Sequence, residues 1–494
     1  MSALRYLCLS DMHLGAAYSL LTHIDSEGAV RPEVASATLK TLATGLRHTV
    51  AELADAGTPP TLVLMGDVLD LGLSPMGQVS HAFMRFVDAL FPAQGPQLFA
   101  PRILCLAGNH DHHLWRVAQD EHYLNGLSGI EERHIAEDLT QTLPLFNPPQ
   151  LTCTMLTRLL HLRPHLADCR VDIAYPNLGL ANADGTRAVV LHHGHYVDSM
   201  YRAMSRLNSW LSGHDWPPAT VAQIERENGP WVDFLWSDLG SAGGVGRDAL
   251  TLYETMLDAG ASHTLANTMS ARLLKQIGAR YGVRAETELT HGVTVGGVVR
   301  GLVDLAAGQA ADSQRDGYRQ ILSSDEVADL RWYLGGPVAQ QLREEERLNG
   351  LRELSFVFGH THKPFQDQLA ITPYATPVAV YNTGGWVMDQ PTLMSRQGAA
   401  AMLIDDEMNV ASLRLFNDAV NGEMAWVHAG GIGGFRDAAN PLLAQLTDSI
   451  ERNGKDWAAF SACAKNAMDK RAGQVLARLF HPEVANIQST GSAT

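Results

Sequence analysis

The sequence predicts an α/β fold with a parallel sheet at its centre. Two observations carry this. Short apolar runs alternate with stretches of helical period, the pattern of strand–helix–strand units. And five of the runs end in the same kind of residue: Asp, Asn or His, often beside Gly. In open α/β sheets function collects just beyond the carboxyl ends of strands, so these ends are the places to look.

In chain order, residues 5–10 form the first run, followed by Asp11 and His13. Residues 35–53 have helical periodicity, ended by Gly57, Pro59 and Pro60. Residues 61–65 follow as a strand, leading to Gly66, Asp67 and Asp70, and residues 79–90 as a helix. Residues 103–107 then lead into Gly108, Asn109, His110 and Asp111. The stretch 115–169 reads as mostly helical with proline interruptions. Residues 171–175 are a strand, and 178–181 with 188–191 a hairpin turning at Gly185, before His192, His193, Gly194 and His195. From 196 to 350 the strand rhythm disappears. Apolar residues recur at helical spacing in 200–211, 250–257, 265–277, 298–307 and 327–342, the pattern of a helical insertion. The sheet resumes at 354–358, followed by Gly359, His360, Thr361 and His362. Strands at 378–381, 400–404 and 412–416 come next, the last two paired around 405–409. A Gly-rich linker leads to helix over 441–480, and the small, polar tail 488–494 is expected to lack order. The implied domains are a discontinuous core (1–195 with 351–419), the insertion (196–350) and a helical C-terminal extension (420–494).

Composition narrows the class. The chain has 494 residues, 46% hydrophobic and 18% charged, ordinary for a soluble globular protein. A formal charge of −16 disfavours a broad nucleic-acid surface. It leaves room for a small anion held through bound cations. The five cysteines, Cys8, Cys105, Cys153, Cys169 and Cys463, show no C-x-x-C spacing, which points to reduced thiols and a cytoplasmic protein. No signal peptide or membrane span is recognisable.

A lone His after a strand is usually a polar turn residue. The ordered set is different: Asp11, His13, Asp67, Asn109, His193, His360 and His362. Carboxylate, imidazole and amide oxygen suit Zn, Mn or Fe, and the lack of cysteine argues against a thiolate-rich structural site. Seven ligands exceed one tetrahedral ion and fit two ions sharing a carboxylate. Such a pair, about 4 Å apart, lowers the pKa of a bound water and clamps the oxygens of a phosphoryl displacement. Spacing alone leaves open which of His192, His193 and His195 belongs to the set.

Asp11-x-His13, Gly66-Asp67-x-x-Asp70, Gly108-Asn109-His110-Asp111, His193-Gly194 and Gly359-His360-x-His362 resemble the five ordered motifs of calcineurin-like metallophosphoesterases. Asn382-Thr383-Gly384-Gly385-Trp386 resembles the segment that follows their last motif. The resemblance spans 1–195 and 351–416. It implies a four-layer αββα sandwich and a dinuclear phosphoesterase. Asp11, His13, Asp67 and His362 would bind one metal, and Asp67, Asn109, His193 and His360 the other. The His-Gly pattern favours His193. His110 would contact the phosphate and protonate or position the leaving oxygen, with Asp70 orienting it. Asp111 would organise the loop. Leu71 and Asp111 stand where serine/threonine protein phosphatases carry Arg and Glu, so that subfamily is disfavoured. A helical insert between the fourth and fifth motifs is similar to bacterial UDP-diacylglucosamine pyrophosphohydrolases, although here it is longer and His195 replaces their acidic residue.

The expected substrate is a small or lipid-like phosphoester or pyrophosphate, with the insertion capping the site or docking a protein partner and with room for peripheral membrane contact. The alternatives are a nuclease or cyclic-nucleotide phosphodiesterase, and a metal-binding scaffold for protein partners.

Overall fold

The first apolar run folds as β1 (Leu4–Leu9), and the chain then alternates as its periodicity dictates. β2 (Thr22–Ile24), β3 (Val30–Ala35), α1 (Ala37–Leu53), β4 (Thr61–Met65), α2 (Met76–Leu90) and β5 (Arg102–Leu106) follow. Next are α3 (His113–Gly126), β6 (Leu151–Thr152), α4 (Thr154–Leu160), β7 (Arg170–Ala174), and the hairpin β8 (Asn177–Ala181) and β9 (Arg187–His192). This is a computed structural model. It describes, in the main, residues 2–232, 284–296, 322–388, 397–416 and 427–480, with short gaps inside the first three ranges.

Within 196–350 the described elements are α5 (Val221–Val232), the pair β10 (Glu288–Thr290) and β11 (Val293–Thr294), and α6 (Ser324–Tyr333), which runs through a π-helical turn at Leu334–Val338 into α7 (Ala339–Glu344). The expected helix at 327–342 is thus present, and β10–β11 adds a hairpin the helical reading did not include. The expected helices at 250–257, 265–277 and 298–307, and the tail 488–494, lie outside the described residues. So does much of 200–211.

The chain closes with β12 (Glu353–Phe358), β13 (Phe365–Leu369), β14 (Val378–Asn382), β15 (Ala399–Asp405), β16 (Val410–Phe416), β17 (His428–Gly430), α8 (Gly434–Ala438), α9 (Pro441–Arg452) and α10 (Gly454–Phe480).

Two sheets form. One has eight strands in the order β17-β16-β15-β1-β4-β5-β7-β6, the other five in the order β13-β14-β12-β9-β8. The expected parallel pairs are there: β1 with β4, β4 with β5, and β5 with β7. β15 joins β1 antiparallel, so the sheet is mixed. Every residue of β15 and β16 is buried, as strands covered on both faces must be. One cover is the second sheet: the Tyr381 hydroxyl of β14 donates to the Val410 carbonyl of β16 at 3.3 Å. The other is helix, with α9 against β16 and α1 against α10. On the far side of the five-stranded sheet lies the α6–α7 segment. There the Tyr333 ring packs 6.2 Å from Phe356, and its hydroxyl donates to Asn177 Oδ1 at 3.0 Å. Helix, sheet, sheet, helix is the four-layer order expected.

One expectation is corrected. Residues 115–169 are not mostly helical: among the described residues the helices there are α3, α4 and two single turns. Pro144, Pro148, Pro149 and Pro164 lack an amide proton and close the helical option over that span.

Candidate metal centre

Each motif sits where its strand stops. Asp11 and His13 follow β1, Asp67 follows β4, Asn109 and His110 follow β5, His193 follows β9, and His360 and His362 follow β12. These strands run parallel within each sheet, so their carboxyl ends share one edge. Three ligand-like groups result: Asp11, His13 and His362; Asp67, His193 and His360; and His13, Asp70 and His110. Within each, the ligand atoms lie within 4.8 Å of one another.

The backbone is bent to do this. Asp11, His13, Asp67, His360 and His362 all take left-handed conformations, with φ between 45° and 69°. Such φ values are costly for residues with a Cβ and cluster at functional sites. Two glycines allow the close approach. A Cβ on Gly108 would lie 2.2 Å from Asp67 Oδ1, and one on Gly359 would lie 2.1 Å from Asp11 Oδ2.

The hydrogen bonds aim the lone pairs. His193 Nδ1 donates to the Met65 carbonyl at 3.1 Å, leaving Nε2 facing Asn109 Oδ1 at 3.0 Å and Asp67 Oδ2 at 3.3 Å. His360 Nδ1 also faces Asn109 Oδ1 at 3.0 Å. His362 Nε2 lies 3.6 Å from Asp11 Oδ1. His13 is buried, and neither of its ring nitrogens has a hydrogen-bond partner among the described residues. A buried imidazole left in that state is expensive. Acceptors converging on acceptors need a cation between them, so these residues fit divalent metal ions on the chemistry of the donor set itself.

Charge tells the same story. Burial pulls the His193 pKa down, yet Asp67 and Asp11 outweigh it and lift it to about 9. Asp67 is held well below the usual carboxylate range: burial would raise it, but His193 and His110 prevail. A site that draws a proton this strongly is built for positive charge.

Other residues hold the frame. His110 Nδ1 pairs with Asp70 Oδ1 at 2.8 Å, Ser74 donates to Asp70 Oδ2 at 2.9 Å, and the His110 amide donates to Asp67 Oδ1 at 2.8 Å. Asp111 accepts from the amides of Gly108 at 2.7 Å and Val68 at 2.8 Å, so it ties two motif loops together as expected. Asn382 Nδ2 donates to the Gly359 carbonyl at 2.9 Å, and the Trp386 amide to the Asp11 carbonyl at 3.0 Å. The segment 382–386 is therefore a brace for the loops of the first and fifth motifs.

Of the three candidates on the fourth motif, only His193 faces the centre. His192 is buried on the other side of the strand, against Tyr333 and Phe356. His195 bonds the Tyr175 hydroxyl at 2.9 Å. Sequence reasoning missed Ser10 and Thr383, whose hydroxyls meet beside Asp11, and Asp198, whose carboxylate faces His360 Nε2 at 3.2 Å. Nothing in their spacing marked them.

All five cysteines are free, and among the described residues no helix is long and apolar enough to cross a membrane. No curated protein matches the chain. The family model of the calcineurin-like phosphoesterases matches residues 4–281, more than half of it. That family comprises metal-dependent hydrolases of phosphoester bonds with a dinuclear centre. The fifth motif lies beyond the matched residues, and the fold carries it to the other four. The chain belongs to the calcineurin-like phosphoesterase family.

Proposed function

We propose that this protein hydrolyses a small or lipid-like phosphoester or pyrophosphate with two divalent ions. Asp11, His13, Asp67 and His362 hold one ion, and Asp67, Asn109, His193 and His360 the other. Asp67 is the shared carboxylate. The observation that carries this reading is the convergence of Asp11, His13 and His362 in one group and of Asp67, His193 and His360 in another, with Asn109 Oδ1 against the second. Bound there, the ions would supply Lewis-acid polarisation of the phosphoryl group and a water activated at neutral pH.

The chain's own residues supply the rest. Asp70 accepts a hydrogen bond from the Nδ1–H of His110, which leaves the Nε2–H to hand a proton to the departing oxygen as the P–O bond breaks. Burial pulls the His110 pKa down, but Asp67 and Asp70 outweigh it and raise it, which keeps that proton in place. His362 and His360, with side chains 21% and 13% exposed, mark the open side by which substrate enters. The net charge of −16 speaks against the nucleic-acid alternative. The complete donor set speaks against an inert scaffold.

The test is turnover of an aryl phosphate, an aryl diester and a nucleotide pyrophosphate by the full chain, with Mn added and with Mn removed by chelator. Chelator-sensitive, Mn-restored hydrolysis of at least one supports the proposal. No hydrolysis of any of them by Mn-loaded protein would contradict it.

A further inference from the structure

The ring of His360 is held at both ends. Its Nδ1 faces inward, 3.0 Å from Asn109 Oδ1, and its Nε2 faces outward, 3.2 Å from Asp198 Oδ2. Asp198 does not belong to any of the five motifs. It closes the single helical turn His195–Val197 that leads out of the core, and it stands at the root of the long insertion. Its backbone is fixed there: its amide donates to the His195 carbonyl at 3.2 Å, and its carbonyl accepts from the Arg202 amide at 3.1 Å.

We infer that Asp198 is a positioning residue for the second metal ion, so that the insertion contributes part of the metal centre; this rests on the dinuclear reading above. A neutral imidazole has one N–H and one lone pair, and the partner of one nitrogen decides which form is present. A carboxylate at Nε2 accepts that proton. The lone pair is thereby committed to Nδ1, the atom beside Asn109 in the group of Asp67 and His193. The carboxylate also makes the ring a stronger donor and stops it rotating about its Cβ–Cγ bond. The His360 amide is pinned separately, donating to Asp11 Oδ1 at 3.0 Å. What Asp198 controls is therefore the ring and not the loop. His193 gets the same treatment from the Met65 carbonyl of the core, whereas His360 gets it from a residue of the insertion.

An ion pair with no such role predicts something different. The Asp198 side chain is 35% exposed, and exposed pairs contribute little to stability. Losing an incidental pair would leave metal binding untouched.

The test is calorimetric titration of Mn into the metal-free full chain, for the wild type, Asp198→Ala and Asp198→Glu. The wild type is expected to take two ions. Asp198→Ala should bind one ion as the wild type does and the other about 10- to 100-fold more weakly. Asp198→Glu, which restores a carboxylate, should recover part of that loss. The metal-free melting temperatures of all three should lie close together, since a pair open to solvent on one side contributes little to the fold. Unchanged binding of both ions by Asp198→Ala, or equal weakening of both, would overturn the inference while leaving the dinuclear reading intact. A wild type that binds fewer than two ions would overturn the dinuclear reading itself.

Discussion

Five of the seven proposed ligands or their neighbours in the motifs hang on left-handed backbone, at a cost of about 1–3 kcal/mol each. The surroundings must hold them there, and the hydrogen bonds that the Gly108 and Val68 amides donate to Asp111 are part of that hold. Residue roles separate cleanly in mutants. Asp67→Asn removes charge from the group shared by both ions, so elemental analysis should find less metal per chain and turnover should fall with it. His110→Ala should keep its metal and lose about 100-fold or more in turnover, because only the proton donor is gone. Loss of metal from His110→Ala would show that His110 has been given the wrong role. Gly108→Ala places a Cβ 2.2 Å from Asp67 Oδ1, and should displace that carboxylate and weaken metal binding even though no ligand has been touched.

The proposed ligands were legible in the sequence because each is locked to a strand end by a short motif. Asp198 was not, nor was the meeting of Ser10 with Thr383, because the fold brings these partners together from as far as 373 residues apart.

At the scale of elements, the strand ends do the positioning and the helices keep them still. α10 is the clearest case. Its Arg471 is buried and donates to the carbonyls of Ala17 at 3.0 Å and Thr22 at 2.8 Å, and also to that of Ser19. Those carbonyls belong to the loop that follows the first motif, and the Tyr18 ring of that loop packs 5.7 Å from His13. Arg471→Leu leaves several buried carbonyls without a donor, and should lower unfolding free energy in urea by about 1–3 kcal/mol. An unchanged midpoint would mean that the helix does not restrain this loop.

The sequence rhythm disclosed β1, β4, β5, β7, β8, β9, β12 and β14–β16, where apolar residues fill whole strands. It did not disclose β13 and β17, edge strands that are only partly buried and so carry little hydrophobic pattern. Nor did it disclose β2–β3, whose exposed face reads as loop.

At the scale of the molecule, two sheets deliver their strand ends to one edge; the insertion leaves from that edge and rejoins the core at the opposite one, where the Arg352 amide donates to the Thr186 carbonyl at 2.8 Å. Its first residues reach His360 through Asp198, and α5 sends Glu225 into a buried contact with Tyr196. Its last residues, α6 to α7, are a layer of the sandwich, with Leu334, Val338 and Leu342 fully buried. The insertion was read as one unit from its helical spacing. Its return segment packs on the five-stranded sheet instead, which helical periodicity cannot distinguish from a separate lobe.

The cap expected of the insertion falls mostly on residues outside those described, and replacing 237–283 by a short Gly/Ser linker tests it. Such a variant should keep its turnover of a small aryl phosphate and lose selectivity among larger phosphoesters. Equal losses on both, with metal still bound, would count against a cap.

If one edge of this sandwich holds two metal ions between the two sheets, anomalous diffraction from crystals grown with Mn will locate both. Two peaks about 4 Å apart are expected, with Asp67 between them, His13 and His362 on one side and His193 and His360 on the other. A single peak, or peaks away from these side chains, would contradict the dinuclear reading.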